Sequence, residues 1–400
     1  MKKEHSIKHP IIHNRIISII LICLFLIVFT FFLFNSCQKA VKPKCKDCLI
    51  LHASLDAEVI DWEKFLDKIE LIPLETTDNS LISYIEKYDY FEGKHYILDD
   101  IQFILFIFDE NGNYLNRIAK KGQGQGPGEY RFIYDFGINP QKGQIEMLSP
   151  DRFIYCYDFN GMHKKTYDLT SVNPFGIQRF QILDDENFII WAPPYDGEDG
   201  LHVISQETGE SLNSFWQDIN IINACSSDVL FKYNNEVYFG LPLYNGVYKV
   251  NKEGLEEAYE WHFGKKTVDI SRHEISTGMY NFNRDVEVLI DKLERSVILY
   301  ECLRHYQNRQ YYYVQLRFKR VHDRSFFYEK RTGKSFFFET GVNSTILYFQ
   351  DDYMIGVLNH NERDKLLNCP LIDEENRQKL LSFKEEDNPY LIKYYFKDNE

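Results

Sequence analysis

Many side chains in this sequence could do chemistry, but few stand at spacings that chemistry uses. His273-Glu274 is followed by Thr277 where the zinc-protease pattern H-E-x-x-H needs a second histidine. No G-x-S-x-G nucleophile turn occurs. Asp99-Asp100, Asp184-Asp185 and Asp351-Asp352 are paired carboxylates, the groups that glycoside hydrolysis uses when they face each other across roughly 5–9 Å. Neighbours on a strand point to opposite faces, so these pairs read as turn residues. His95, His202, His262 and His305 stand in separate apolar runs, and only a fold that gathers distant strands would bring them together. Cys45-Lys46-Asp47-Cys48 has no second pair or nearby histidine to complete a zinc site, and no βαβ pattern follows it. It reads as a local disulfide or inert thiols, while Cys156 and Cys302 read as small core residues. No catalytic residue, metal site or cofactor is assigned.

Two segments are candidates for facing a ligand. Gly122 to Tyr130 reads G-Q-G-Q-G-P-G-E-Y, which invites comparison with a phosphate-binding loop. Such loops need glycines that open a helix, with G-x-G-x-x-G spacing or a following Lys-Ser/Thr. Here Pro127 takes the last glycine position and a strand-like run, Phe132 to Ile138, follows. The segment is expected to be a crossover whose glycines supply unusual dihedrals, with Glu129 pairing locally. Gly126, Pro127, Gly128, Glu129 and Tyr130 are its candidate ligand-facing residues. The second segment is Trp191-Ala192-Pro193-Pro194-Tyr195, which reads either as a rigid blade connection or as a loop in which Trp191 and Tyr195 offer flat apolar surface for a sugar ring or a peptide side chain.

These residues need elements to position them, and the first 36 residues are not among those elements. Lys2, Lys3, Lys8 and Arg15 precede an apolar run, Ile16 to Phe34, that ends in Leu33-Phe34-Asn35-Ser36-Cys37. The run and its cysteine resemble a bacterial lipoprotein signal, with Cys37 as the acylated residue; the other reading is an uncleaved membrane anchor, since about 20 apolar residues span a bilayer. Both readings place the remainder outside the cytoplasm. Without residues 1–36, which hold four basic residues and one acidic one, the chain has 42 Lys+Arg against 59 Asp+Glu, a net charge of −17. That charge excludes nucleic-acid binding, which depends on neutralising phosphates.

Aromatic residues make up 16% of the chain, enough to argue for a packed core rather than disorder. A short apolar strand, a polar turn ending in glycine and a second strand occur five times, at Gly112, Gly161, Gly209, Gly254 and Gly333. The spacings are 49, 48, 45 and 79, and the outlier contains a helical pattern at Val286, Leu289, Ile290 and Leu293 within an insertion of about 31 residues. Two more strand-like runs precede each hairpin, as in Ile82 to Tyr88 and His95 to Leu98. Four strands per repeat is the make-up of a propeller blade. A sixth blade starts at Thr345 and lacks one strand. Arg363 to Lys384 looks helical with a break at Pro370, and Leu391 to Phe396 with the unpartnered Ile69 to Leu74 complete the blade and close the ring. The expected fold is therefore all-β, a six-bladed β-propeller with a helical insertion in the fifth blade and a short helical stretch before the last strand. Residues 1–36 form the signal, 37–62 a lipid-anchored tether and 63–400 the propeller.

Gly122 to Tyr130, with I-P-L-E-T at Ile72 to Thr76 and N-P-Y-L at Asn388 to Leu391, resembles the six-bladed β-propeller lipoproteins of gut Bacteroidota. The resemblance implies an envelope lipoprotein with an NHL-like propeller, and it carries no established activity. Gln38-Lys39-Ala40-Val41 lacks both an inner-membrane retention Asp and an acidic export cluster, which favours the periplasmic side of the outer membrane. The expected role is a binding or interaction module for glycan or peptide ligands. The alternative is a hydrolase or lyase acting on glycans or peptides from the central funnel.

Overall fold

A computed structural model describes residues 48–124, 126–172, 176–194, 198–216, 228–267, 291, 300–318, 322–339 and 345–398. The turn at the end of each repeat explains why the strands fold back. Asp109 Oδ1 accepts from the N–H groups of Asn111 and Asn113, and Gly112 takes φ +85°. Asp158 does the same for Asn160 and Met162, beside Gly161 at φ +80°. The carboxylate fixes the turn while glycine supplies the left-handed residue that a side chain would oppose.

The chain begins with β1 (Leu49–His52), β2 (Val59–Ile60), the single turn α1 (Trp62–Phe65) and β3 (Leu66–Pro73). Blade 1 is β4 (Lys87–Phe91), β5 (Lys94–Asp99), β6 (Ile104–Asp109) and β7 (Tyr114–Ile118), and blade 2 is β8 (Asp135–Asn139), β9 (Gln144–Ser149), β10 (Phe153–Asp158) and β11 (His163–Asp168). Blade 3 is β12 (Arg179–Ile182), β13 (Asn187–Trp191), β14 (Leu201–Ser205) and β15 (Ser211–Phe215). Blade 4 is β16 (Leu230–Tyr233), β17 (Glu236–Gly240), β18 (Gly246–Val250) and β19 (Leu255–His262), with β1 added in parallel outside β19. Blade 5 is β20 (Tyr300–Gln307), β21 (Tyr311–Phe318), β22 (His322–Glu329) and β23 (Ser335–Phe338), with β2 in parallel outside β23. Blade 6 is β24 (Ile346–Phe349), β25 (Tyr353–Leu358) and β26 (Tyr390–Phe396), with β3 as its outer strand. The fold is a six-bladed β-propeller. The stretch read as a tether thus supplies two strands from Leu49 onward. The helical insertion expected in the fifth blade lies almost wholly outside the described residues, as do residues 1–36, Cys37 and Cys45. Cys48 is disulfide-bonded.

Each blade is an antiparallel meander that starts at the axis. The inner strands β4, β8, β12, β16 and β20 lie side by side in that order, β24 lies against β4, and Tyr306 Oη reaches Leu347 O at 3.1 Å to join blades 5 and 6. Alternate residues of a strand face different neighbours. Tyr96 and Leu98 pack with Phe136 and Met147 of blade 2, whereas Ile97 packs with Ile355 and Leu391 of blade 6. The core therefore lies between the blades.

Two inner strands begin later than the apolar pattern suggests. Ile82 and Ile85 are buried but precede β4, because the Ile82 N–H donates to Asn388 Oδ1 and the Ser83 N–H to Asp99 Oδ2 instead of to a strand. Phe132 to Tyr134 likewise precede β8. The helical stretch comprises α2 (Arg363–Leu366) and α3 (Glu374–Ser382). It covers the outer edge of blade 6: the Leu71 N–H donates to Asn376 Oδ1 at 2.7 Å and the Ile69 N–H to Leu371 O at 3.0 Å. An edge capped this way cannot recruit another strand.

Candidate functional site

The meander fixes which segments share a face. All inner strands run the same way along the axis, so their first residues lie at one end. The second-to-third-strand loops and the connections between blades lie at that end too, and the short glycine hairpins lie at the other. Both candidate ligand-facing segments therefore belong to one loop-rich face.

The glycine-rich segment is built as a clasp. Gly124 and Gly128 have φ +74° and +72°, and the Gly126 N–H donates to Glu129 Oε2 at 3.0 Å. A Cβ at Gly122 or Gly126 would stand 2.8–2.9 Å from the Glu129 carboxylate, and one at Gly128 would meet the His163 ring at 2.7 Å. Tyr130 is fully buried; its hydroxyl donates to Phe103 O at 2.8 Å and accepts the Lys120 N–H at 3.1 Å, while Tyr157 Oη donates to Gly128 O. Pro127 is exposed, Gly126 and Glu129 half-buried. Trp191 is fully buried at the end of β13, 5.3 Å from Phe239 between ring centres, and Gly200 leaves room for it, since a Cβ there would stand 2.7 Å from the indole. Tyr195 lies outside the described residues.

The histidines do not converge. His95 bonds Tyr88 Oη through Nδ1 at 2.7 Å, His202 Nε2 bonds Asp199 O at 2.9 Å, and His262 packs edge-on against His52. His305 is buried against Phe231 with neither ring nitrogen bonded, and burial pushes its pKa down to about 3, so it is neutral. Asp99 is buried rather than solvated and accepts from the N–H groups of Ser83, Ile101 and Gln102.

What does converge is a ring of charges at the start of the inner strands. Lys87 Nζ lies 2.5 Å from Asp135 Oδ1, Arg179 Nη2 lies 2.7 Å from Glu86 Oε1, and Arg304 Nε lies 3.3 Å from Asp228 Oδ2. Arg304 also donates to Ile346 O and Glu86 O, both at 3.4 Å. These contacts tie blades 1, 2, 3, 5 and 6 and the segment entering blade 4 to one another. Burial alone would raise the Asp228 carboxyl, but Arg304, Arg179 and Lys87 hold it below its usual range. For Glu86, burial outweighs the Arg179 attraction and its carboxyl is raised.

Farther along the axis, buried Lys232 of blade 4 feels the charges of Asp89 of blade 1 and Glu146 of blade 2. It forms no ion pair with either among the described residues. Burial lowers the Lys232 ammonium and raises Asp89, and it pushes Glu146 up to about 7. Glu146 Oε1 accepts from Asn139 Nδ2 at 3.0 Å and Gln144 Nε2 at 2.8 Å, while its buried Oε2 has no partner. Among the described residues no three His, Cys, Asp or Glu side chains are grouped to hold a metal ion. Among the described residues the axis is a mixed, largely paired set of charges that ties the blades to one another.

A cleft of about 510 Å³ opens on the loop-rich face at blade 2. Gln123, Gly124 and Arg131 line one side, Asp151, Arg152, Phe153 and Tyr155 another, and Thr170 and Gly176 a third. Sequence reasoning missed both this cleft and the axial ring. The only available signal for the ring was charge inside apolar inner strands, as in Lys87-Tyr88-Asp89 and Phe231-Lys232-Tyr233.

These features define a six-bladed β-propeller with a charged axis and a cleft on its loop-rich face. The chain belongs to the family described as Domain of unknown function (DUF4934), whose model matches residues 52–395. No functionally curated protein matches it. Among solved structures, it is similar to a "putative exported protein" from Bacteroides fragilis, at 17% identity and a TM-score of 0.67 over 87% of this chain and 100% of that one. It is also similar to a member of the duf4221 family from Bacteroides vulgatus, at 13% identity and a TM-score of 0.50 over 83% of this chain and 99% of that one. At these identities the likeness is one of fold.

Proposed function

We propose that this protein is an envelope lipoprotein, acylated at Cys37, whose propeller binds glycan or peptide ligands on its loop-rich face. The observation that carries the reading is the axial ring: its arginines and first lysine are engaged in ion pairs across blades, so the center of the propeller is a charged scaffold that holds the loop-rich face in place. Longer connections and the 510 Å³ cleft lie on the same face, and a cleft of roughly 300–1,000 Å³ suits a small ligand. The exported description of the Bacteroides fragilis protein and the signal-like N-terminus support an envelope location. Net charge of −17 after residues 1–36 disfavours polyanions and nucleic acid. The test is a glycan and peptide binding panel on the full chain in detergent, followed by hydrogen exchange with any ligand found. Protection should fall on the loop-rich face; protection confined to the glycine hairpins would contradict the reading.

A further inference from the structure

We propose that the blade 2 cleft binds an acidic sugar residue, one ring carrying a single anionic group, an inference that rests on the loop-rich face being the binding surface. Two arginines, Arg131 and Arg152, meet in the cleft with one lining carboxylate, Asp151; Asp168 is near enough to offset Arg152, and Arg131 is the cation left for a ligand. Arg131 is exposed and makes no hydrogen bond or ion pair with any described residue. Gly124 passes beside it: a Cβ there would lie 3.8 Å from Arg131 Cγ. Arg152 is held differently. Its backbone has φ +71°, a region that favours glycine, its N–H donates to Ser149 O at 3.0 Å, and its Nη1 donates to Thr170 O at 3.1 Å. Phe103 takes a similar φ of +59° in the matching turn of blade 1, so the conformation belongs to the turn and the arginine is what distinguishes blade 2 at this position. The planar guanidinium fork matches a carboxylate or sulfate group.

The rest of the cleft suits a sugar ring. Phe153 and Tyr155 stand 6.1 Å apart between ring centres on one wall, and Asp151 and Gln123 offer acceptors for hydroxyl groups. Peptides that bind propellers by extending a sheet need an open strand edge, but β10, which carries Phe153 and Tyr155, is paired on both sides with β9 and β11. The overall negative charge repels polyanions at long range while admitting one charge at this spot.

The test uses the full chain in detergent and calorimetric titration with oligosaccharides of galacturonate, glucuronate, N-acetylneuraminate or sulfated galactose. Each is compared with its neutral counterpart, such as the methyl ester of galacturonate. At least one acidic form should bind tenfold or more tighter than its neutral counterpart. Arg131→Ala should remove that preference, and so should Arg152→Gly, which relieves the backbone strain and so keeps the fold. Equal affinity for acid and neutral forms, or a preference that survives both substitutions, would overturn the proposal. So would tighter binding of an acidic tripeptide with the same dependence on Arg131. A neutral ligand found elsewhere on the loop-rich face would sink this proposal and leave the binding role standing, whereas no ligand on that face would sink both.

Discussion

Asn388 is a buried side chain that joins the two ends of the ring, so Asn388→Ala should weaken the whole propeller. Its Oδ1 accepts the Ile82 N–H at 2.8 Å while its Nδ2 donates to Glu75 O at 2.9 Å and Ser80 O at 2.8 Å. Its own N–H donates to Thr76 Oγ1 at 2.7 Å and survives the substitution's loss of side chain. Alanine leaves the Ile82 N–H and Ser80 O without partners, while Glu75 O still accepts from the Ser80 hydroxyl. At about 1–3 kcal/mol for each of the two stranded buried groups, and with water reoccupying part of the space, the loss is about 2–4 kcal/mol. With a urea m-value of about 3 kcal/mol/M, the midpoint falls by roughly 1 M. The assay is equilibrium urea unfolding followed by circular dichroism, with Asn160→Ala in an exposed hairpin as control. A midpoint within about 0.3 M of wild type, about 1 kcal/mol at that m-value, would refute the closure argument. So would a separate early transition, which would mean that blade 6 frays alone.

Three further outcomes follow from the same structure. Tyr130→Phe strands the Lys120 N–H and Phe103 O and should cost about 1–3 kcal/mol in the same urea assay; no loss would mean that the glycine-rich segment is not held by this residue. Glu146, raised by burial to about 7, prefers to be protonated in the folded state, so its contribution is fully present below its unfolded value near 4.5 and is lost as pH rises through 7. Glu146→Gln should therefore gain stability over wild type between pH 4.5 and 7, by about 3 kcal/mol at the upper end, and a pH-independent difference would contradict the burial. Finally, wild-type protein should incorporate labelled fatty acid and Cys37→Ala should not; label retained by the variant would move the acylation elsewhere, and an unlabelled wild type would favour a spanning anchor.

The ring was legible in the sequence because its turns are spelled out. Asp109 and Gly112, or Asp158 and Gly161, are residues whose chemistry makes a hairpin without help from distant contacts. Closure was legible by subtraction, since Ile69 to Leu74 and the last strand had no local partners, and β3 pairs with β26 from Pro73 opposite Tyr390 to Leu66 opposite Phe396. The I-P-L-E-T and N-P-Y-L motifs, far apart in sequence, are one joint in space. The starts of β4 and β8 were less legible, because Ile82 and Ile85 are as apolar as strand residues while their backbone is bound by side chains from elsewhere. The site was least legible. A lone Lys232 or Arg304 in a strand looks like a solvated position, and only the ring geometry brings Arg304 to Asp228 and buries Lys232 within reach of the charges of Asp89 and Glu146. Trp191 misled in the opposite direction: a tryptophan beside two prolines resembles a surface platform, but Gly200 lets the loop close over it.

The central claim, that this propeller binds at its loop-rich face and does not turn its ligand over, is tested most directly by one measurement on the full chain. A glycan and peptide panel is incubated with the protein, retained ligand is identified by mass, and hydrogen exchange is read on the complex. The account predicts an intact ligand and added protection at Gln123–Gly124, Asp151–Arg152 and neighbouring loops. A cleaved ligand, or protection restricted to the hairpins around Gly112, Gly161 and Gly209, would contradict it.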